Sequence, residues 1–157
     1  MIAVIAGCAG TDPGPGTGTA TVTHVVDGDT IDVRIGGRDE RVRLIGIDTP
    51  ETKKPNSPIE CFGPEASTFT ASLVPVGSRV RIERDLVGRD DYGRLLGYVY
   101  VEAVDGTIDT FVNMEIIRQG YATPLTIEPN STYARDFAKA AGEAEAAGLG
   151  LWAACSP

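Results

Sequence analysis

Three short clusters concentrate residue types suited to gripping a phosphate and a hard cation: Asp27-Gly28-Asp29-Thr30, the run Arg43-Leu44-Ile45-Gly46-Ile47-Asp48-Thr49-Pro50-Glu51, and Asp91-Tyr92-Gly93-Arg94. The carboxylates of Asp29 and Asp48, together with a backbone carbonyl and waters, make a hard oxygen set suited to Ca²⁺. Thr49 precedes a proline, which holds it extended and fixes where its carbonyl points. Glu51 stands one residue past that proline, where a carboxylate can face a metal-held phosphate through a water without ligating the metal. Arg43 and Arg94 come from different parts of the chain, and two planar guanidinium forks can hold phosphate oxygens as negative charge builds on them. Singly, these residues are ordinary: Asp-Gly turns and Asp-Thr-Pro loop starts are common without any metal. Their joint occurrence is what points to chemistry.

Several other chemistries are removed by composition. His24 is the only histidine, which excludes a two-histidine ribonuclease mechanism and a multi-histidine metal centre. The three cysteines lack zinc-knuckle spacing, and no glycine-rich phosphate loop with its lysine is present. The formal net charge of −8 argues against a protein that stores or packages a polyanion and suits one that binds weakly and turns over.

The elements that must carry these residues are short. With 157 residues, 19 of them glycine and 10 proline, the chain suits one turn-rich, strand-rich domain. Thr19 to Val26 and Thr30 to Ile35 are rich in Thr, Val and Ile and are split by the turn pair Asp27-Gly28, which predicts a hairpin. Glu40 to Ile45 alternates charged and apolar residues after the Gly36-Gly37 turn, and Arg79 to Asp85 and Leu95 to Val101 read as two more strands. Gly46 to Gly63 reads as a long polar loop. Pro64 at a first helical position opens a helix running to about Leu73, a second fits Asn113 to Gln119, and the spacing of Tyr133, Phe137, Ala140, Ala141 and Ala144 predicts a third. Leu151 and Trp152 pack after it. Five strands with about three helices describe an α+β, mainly β fold: a small closed Greek-key barrel of the OB type.

The three clusters, in their order, resemble the signature of the staphylococcal nuclease family. Gly63-Pro64-Glu65-Ala66-Ser67, Arg118-Gln119-Gly120 and Pro129-Asn130 match the same family, so the resemblance covers about Thr21 to Trp152. It implies Ca²⁺ held by Asp29, Asp48 and the Thr49 carbonyl, Glu51 as general base, and Arg43 and Arg94 on the phosphate. It also implies hydrolysis of DNA and RNA to 3′-phosphate ends. The chain departs from the family before Pro129, where stacking tyrosines are replaced by Leu125-Thr126-Ile127-Glu128. Base stacking contributes about 1–3 kcal/mol per base, so substrate grip is where this chain differs. Tyr92 and Tyr121 are candidates to compensate, and Lys53 and Lys54 to meet phosphates. The rival reading is a noncatalytic oligonucleotide-binding module; retention of all five site residues favours the enzyme.

Residues 1–18 begin with a short apolar run and continue as a Gly, Pro and Thr linker ahead of the folded part, 19–157. Ile5-Ala6-Gly7-Cys8 resembles a lipobox, in which Cys8 would carry a lipid anchor. Cys61 and Cys155 can pair in an exported protein, leaving Cys8 as the odd one; the alternative is three unrelated thiols. No run approaches the roughly 20 apolar residues of a membrane span. The expectation is a monomer, secreted or anchored at a bacterial cell envelope.

Overall fold

Alternation of β-branched and polar residues builds the first sheet. In a computed structural model, which describes residues 18–53 and 55–155, β1 (Gly18–Asp27), β2 (Thr30–Ile35) and β3 (Arg38–Leu44) form an antiparallel meander. Ile31 and Val33 of β2 turn inward while Asp32 and Arg34 face out. Gly36 and Gly37 both adopt positive φ, at 57° and 78°, which lets a two-residue turn match the twist of the flanking strands. Then come β4 (Gly46–Asp48), α1 (Gly63–Leu73), β5 (Arg79–Glu83), β6 (Leu95–Glu102) and β7 (Ile108–Phe111). The chain finishes with α2 (Val112–Arg118), β8 (Thr123–Leu125), α3 (Ala134–Ala146) and α4 (Leu151–Ala154).

The large sheet runs β3-β2-β1-β5-β6-β7 and closes through a parallel pairing of β3 with β6, so five strands make a barrel and β7 extends one edge. This is the expected OB-type architecture. Six successive residues of β6, Leu95 to Tyr100, are buried because one face lines the barrel and the other meets helices. Asn113 of α2 is fully buried: its side-chain N–H donates to the Ile45 carbonyl at 2.9 Å, and its oxygen accepts from the Val99 N–H at 2.9 Å. On α3, Phe137, Ala140, Ala141 and Ala144 face inward, as their spacing predicts.

Four elements go beyond the sequence expectation. The start of the supposed Gly46 to Gly63 loop is strand β4, which pairs antiparallel with β8. β7 and the short α4 are the other additions, and β1 already includes Gly18, which pairs with Ile82. β4 and β8 are each three residues long, too short to show a periodicity of their own, and exist because they pair with one another. Among the described residues no helix is long and apolar enough to cross a membrane. The sulfurs of Cys61 and Cys155 are bonded, joining the chain ahead of α1 to the residue after α4. Cys8 and Lys54 lie outside the described residues.

Candidate active site

The parallel seam between β3 and β6 brings the two arginines to one place. Arg43 pairs with Leu96 and Val42 with Leu95, so Arg94, one residue ahead of β6, stands at the same end of the barrel. The β1–β2 turn delivers Asp29 there, and β4 delivers Asp48. Gly28 allows this turn to lie against the next loop, since a Cβ at that position would stand 2.7 Å from the Thr49 hydroxyl. Thr70 of α1 donates to the Gly28 carbonyl at 2.6 Å and pins the turn from below.

Arg43 is only 6% exposed, and its guanidinium organises the site. Nη1 donates to the carbonyls of Leu44 and Ile47, the latter at 2.9 Å. Nη2 sits 3.1 Å from Asp29 Oδ2 and 3.0 Å from Asp48 Oδ1, so both aspartates converge on one nitrogen. Asp29 is buried and also accepts from the Thr30 hydroxyl at 2.9 Å and the Thr49 N–H at 3.1 Å. Burial raises the Asp48 carboxyl above its ordinary value; Arg43 opposes this, while the negative charges of Asp29, Glu60 and Asp27 add to it. Asp48 therefore feels three other acids as well as Arg43, and a further cation would relieve it. The Thr49 hydroxyl is buried without a hydrogen-bond partner among the described residues.

Glu51 folds back on its own backbone. Its Oε1 accepts from the N–H groups of Thr52 at 2.9 Å and Lys53 at 2.7 Å, and its own N–H donates to Glu60 Oε2 at 3.0 Å. Arg94 is held through Nε alone among the described residues, at 2.7 Å from Asp90 Oδ2, which leaves its Nη groups available. Burial works against ionisation of Asp90, but the bonds from the Arg94 side chain and backbone hold its carboxyl below the ordinary value. Asn130 clamps the preceding loop: its side chain donates to the Val87 carbonyl at 2.9 Å and accepts from the Val87 N–H at 2.8 Å.

Asp29, Arg43, Asp48, Thr49, Glu51, Lys53 and Arg94 thus line a single cleft of about 560 Å³. Asp27, Arg41 and Glu60 line it too, and residue-type reasoning had not given them roles. Asp27 was visible as the first acid of the Asp-Gly-Asp cluster, whereas nothing local marks Glu60. A larger groove of about 830 Å³ adjoins the cleft and shares Arg41 and Arg94 with it. Tyr92 lines this groove, 87% exposed, with the Arg94 guanidinium carbon 5.5 Å from its ring centre. Tyr121 lies elsewhere. Its ring stacks on Phe69 at 4.1 Å and does not line the cleft.

The family model of the staphylococcal nuclease homologues matches residues 41–154. This chain belongs to the staphylococcal nuclease family. Among curated members, the thermonuclease of Staphylococcus intermedius is 41% identical over 131 residues, covering 83% of this chain and 74% of that protein. The thermonuclease of Staphylococcus hyicus is 36% identical over 134 residues, covering 85% and 75%. Endonuclease YncB of Bacillus subtilis is 38% identical over 134 residues, or 84% of this chain and 60% of that longer protein. Within the family's barrel, all five charged residues singled out from the sequence fall in one cleft.

Proposed function

We propose that this chain is a calcium-dependent nuclease that hydrolyses phosphodiester bonds of DNA and RNA and leaves 3′-phosphate ends. The observation that carries the reading is the convergence of Asp29, Asp48, Glu51, Arg43 and Arg94 on one cleft. Nuclease and thermonuclease relatives support the substrate class.

Among the described residues no three His, Cys, Asp or Glu side chains group to hold a metal. A ligand set of two carboxylates completed by a carbonyl and waters fits calcium, which takes oxygen ligands in flexible number. Asp29, Asp48 and the Thr49 carbonyl would hold it, and the crowding of acids around Asp48 favours an added cation. When bound, the ion supplies positive charge to the scissile phosphate.

The protein's own groups do the rest. Glu51 Oε1 is tied down by two backbone N–H groups, so this carboxylate has a set direction and can take a proton from an attacking water. The new bond joins the water oxygen to phosphorus, the bond to the 5′ oxygen breaks, that oxygen takes a proton from solvent water as it leaves, and Glu51 returns its proton to solvent. Arg43 and Arg94 hold phosphate oxygens as charge accumulates, which is where positioned donors contribute most. Lys53 is exposed at the rim of the cleft and meets flanking phosphate; Lys54 follows it in sequence. Tyr92 offers a face for a base in the adjoining groove. The protein acts outside the cell or at its envelope; the lipobox-like Ile5-Ala6-Gly7-Cys8 and the Cys61–Cys155 pair support that placement.

Digestion of single-stranded DNA and RNA with Ca²⁺, with a chelator, and with Glu51→Gln tests the reading. Cleavage that needs calcium, yields 3′-phosphate ends and falls by roughly 10²–10⁴-fold in the variant is expected. Binding without cleavage under any divalent metal would assign the chain to noncatalytic oligonucleotide binding.

A further inference from the structure

Asp27 is buried, 7% exposed, at the end of β1, and it has no part in the ligand set or the proton transfer described above. Its carboxylate is nevertheless fully engaged. Oδ1 accepts from the Gly28 N–H at 2.9 Å, the Thr52 hydroxyl at 2.8 Å and, at 3.5 Å, the Ser67 hydroxyl. Oδ2 accepts from the Thr52 N–H at 3.3 Å. That same N–H also donates to Glu51 Oε1 at 2.9 Å, beside the Lys53 N–H at 2.7 Å. The backbone that aims the Glu51 carboxylate is therefore the backbone that Asp27 grips.

We propose that Asp27 is a positioning residue for Glu51, acting through Thr52 to hold the turn on which the Glu51 carboxylate rests. The inference rests on the reading of Glu51 as the base. Thr52 belongs to a segment with little other support: Lys53 and residues 55–60 are all exposed. A buried carboxylate reaching in from the barrel supplies what that segment lacks, a rigid partner with charge-assisted hydrogen bonds. Glu60 holds the Glu51 N–H from the other side, so the two acids bracket the Glu51–Lys53 turn. Loss of either bond from Thr52 widens the range of directions open to Glu51, and small misplacement of a catalytic group is costly to rate.

The test uses Thr52→Val, which removes the hydroxyl donor at nearly constant shape, Thr52→Ser, which keeps it, and Asp27→Asn. Thr52→Val and Asp27→Asn should each lower kcat by about tenfold or more with KM within about twofold of the parent, and Thr52→Val, which keeps every charge, should also leave the calcium half-saturation within about twofold. Thr52→Ser should retain most of kcat. The double variant should be no slower than the slower single one, because both changes cut one relay. Hydrogen exchange should show faster Thr52 and Lys53 amides in both damaging variants. An unchanged kcat and unchanged exchange in Thr52→Val would overturn the proposal. So would a shifted calcium half-saturation in Asp27→Asn with Thr52→Val unaffected, which would assign Asp27 to the cation by charge alone. A parent protein that cleaves nothing would defeat the nuclease reading, while the exchange measurements would still decide whether Asp27 holds the turn.

Discussion

Arg43 serves two masters. As a buried cation it satisfies two backbone carbonyls and neutralises Asp29 and Asp48, and in the proposed reaction it would also have to turn toward phosphate. Replacing it by methionine leaves a buried aspartate without its counter-ion, so Arg43→Met should lower unfolding free energy by roughly 3 kcal/mol in chelator. Urea unfolding with added calcium should show a smaller deficit, since the ion takes over the pairing of both aspartates. Equal deficits with and without calcium would mean that the two aspartates are not the calcium ligands. At this scale the sequence was informative about residue types and poor about partners. Asp29, Asp48 and Glu51 stand out by type and spacing, yet the Glu60 carboxylate on the Glu51 N–H depends on a loop doubling back, and no local pattern encodes that.

Elements place these residues through a few buried polar clamps. Asn130 is 1% exposed and bonds both backbone groups of Val87, setting the start of the loop that ends in Arg94. Asn130→Ala should cost about 1–3 kcal/mol in thermal or urea unfolding and lower kcat while the calcium requirement stays unchanged. A second clamp is acid-sensitive. Burial disfavours the charge on Asp85, but the Thr132 N–H and the Tyr98 hydroxyl, at 3.0 and 2.8 Å, hold its carboxyl below the ordinary 3.8. The ionised form therefore stabilises the fold above that pH, and the contribution is lost as pH falls through the lowered value. Thermal melts of Asp85→Asn should show a flatter acid limb than the parent. Strands with clear alternation, such as Thr30–Ile35, and a helix opened by Pro64 were legible in advance. β8 was not: it contains Pro124 and owes its existence to β4, a partner remote in sequence.

Across the whole molecule, the Cys61–Cys155 bond closes a sequence separation of 94 residues around all four helices and the strands β5 to β8. Long closed loops restrict the unfolded chain most. Replacing both cysteines by serine should therefore lower stability by roughly 3–5 kcal/mol, seen as a lower urea midpoint that the parent reproduces under reductant. An unchanged midpoint would mean the two thiols are free in solution. The net charge of −8 and the stretch Leu125 to Glu128 before Pro129, which carries no aromatic, act at this same scale, and on the proposed reading both would make substrate hold brief.

The β3–β6 seam gives the molecule a threshold. β4, which carries Asp48, pairs with β8, and both β8 and β6 come later in the chain than the strands carrying Asp29 and Arg43, so Asp48 and Arg94 reach Arg43 only through pairings with the later half of the chain. A fragment ending before β6 thus holds Asp29, Arg43, Asp48, Glu51 and Arg94 in its sequence but lacks the strands whose pairing brings them together. On the proposed reading, such a fragment stays dormant until the barrel shuts, with no inhibitor needed to keep it so.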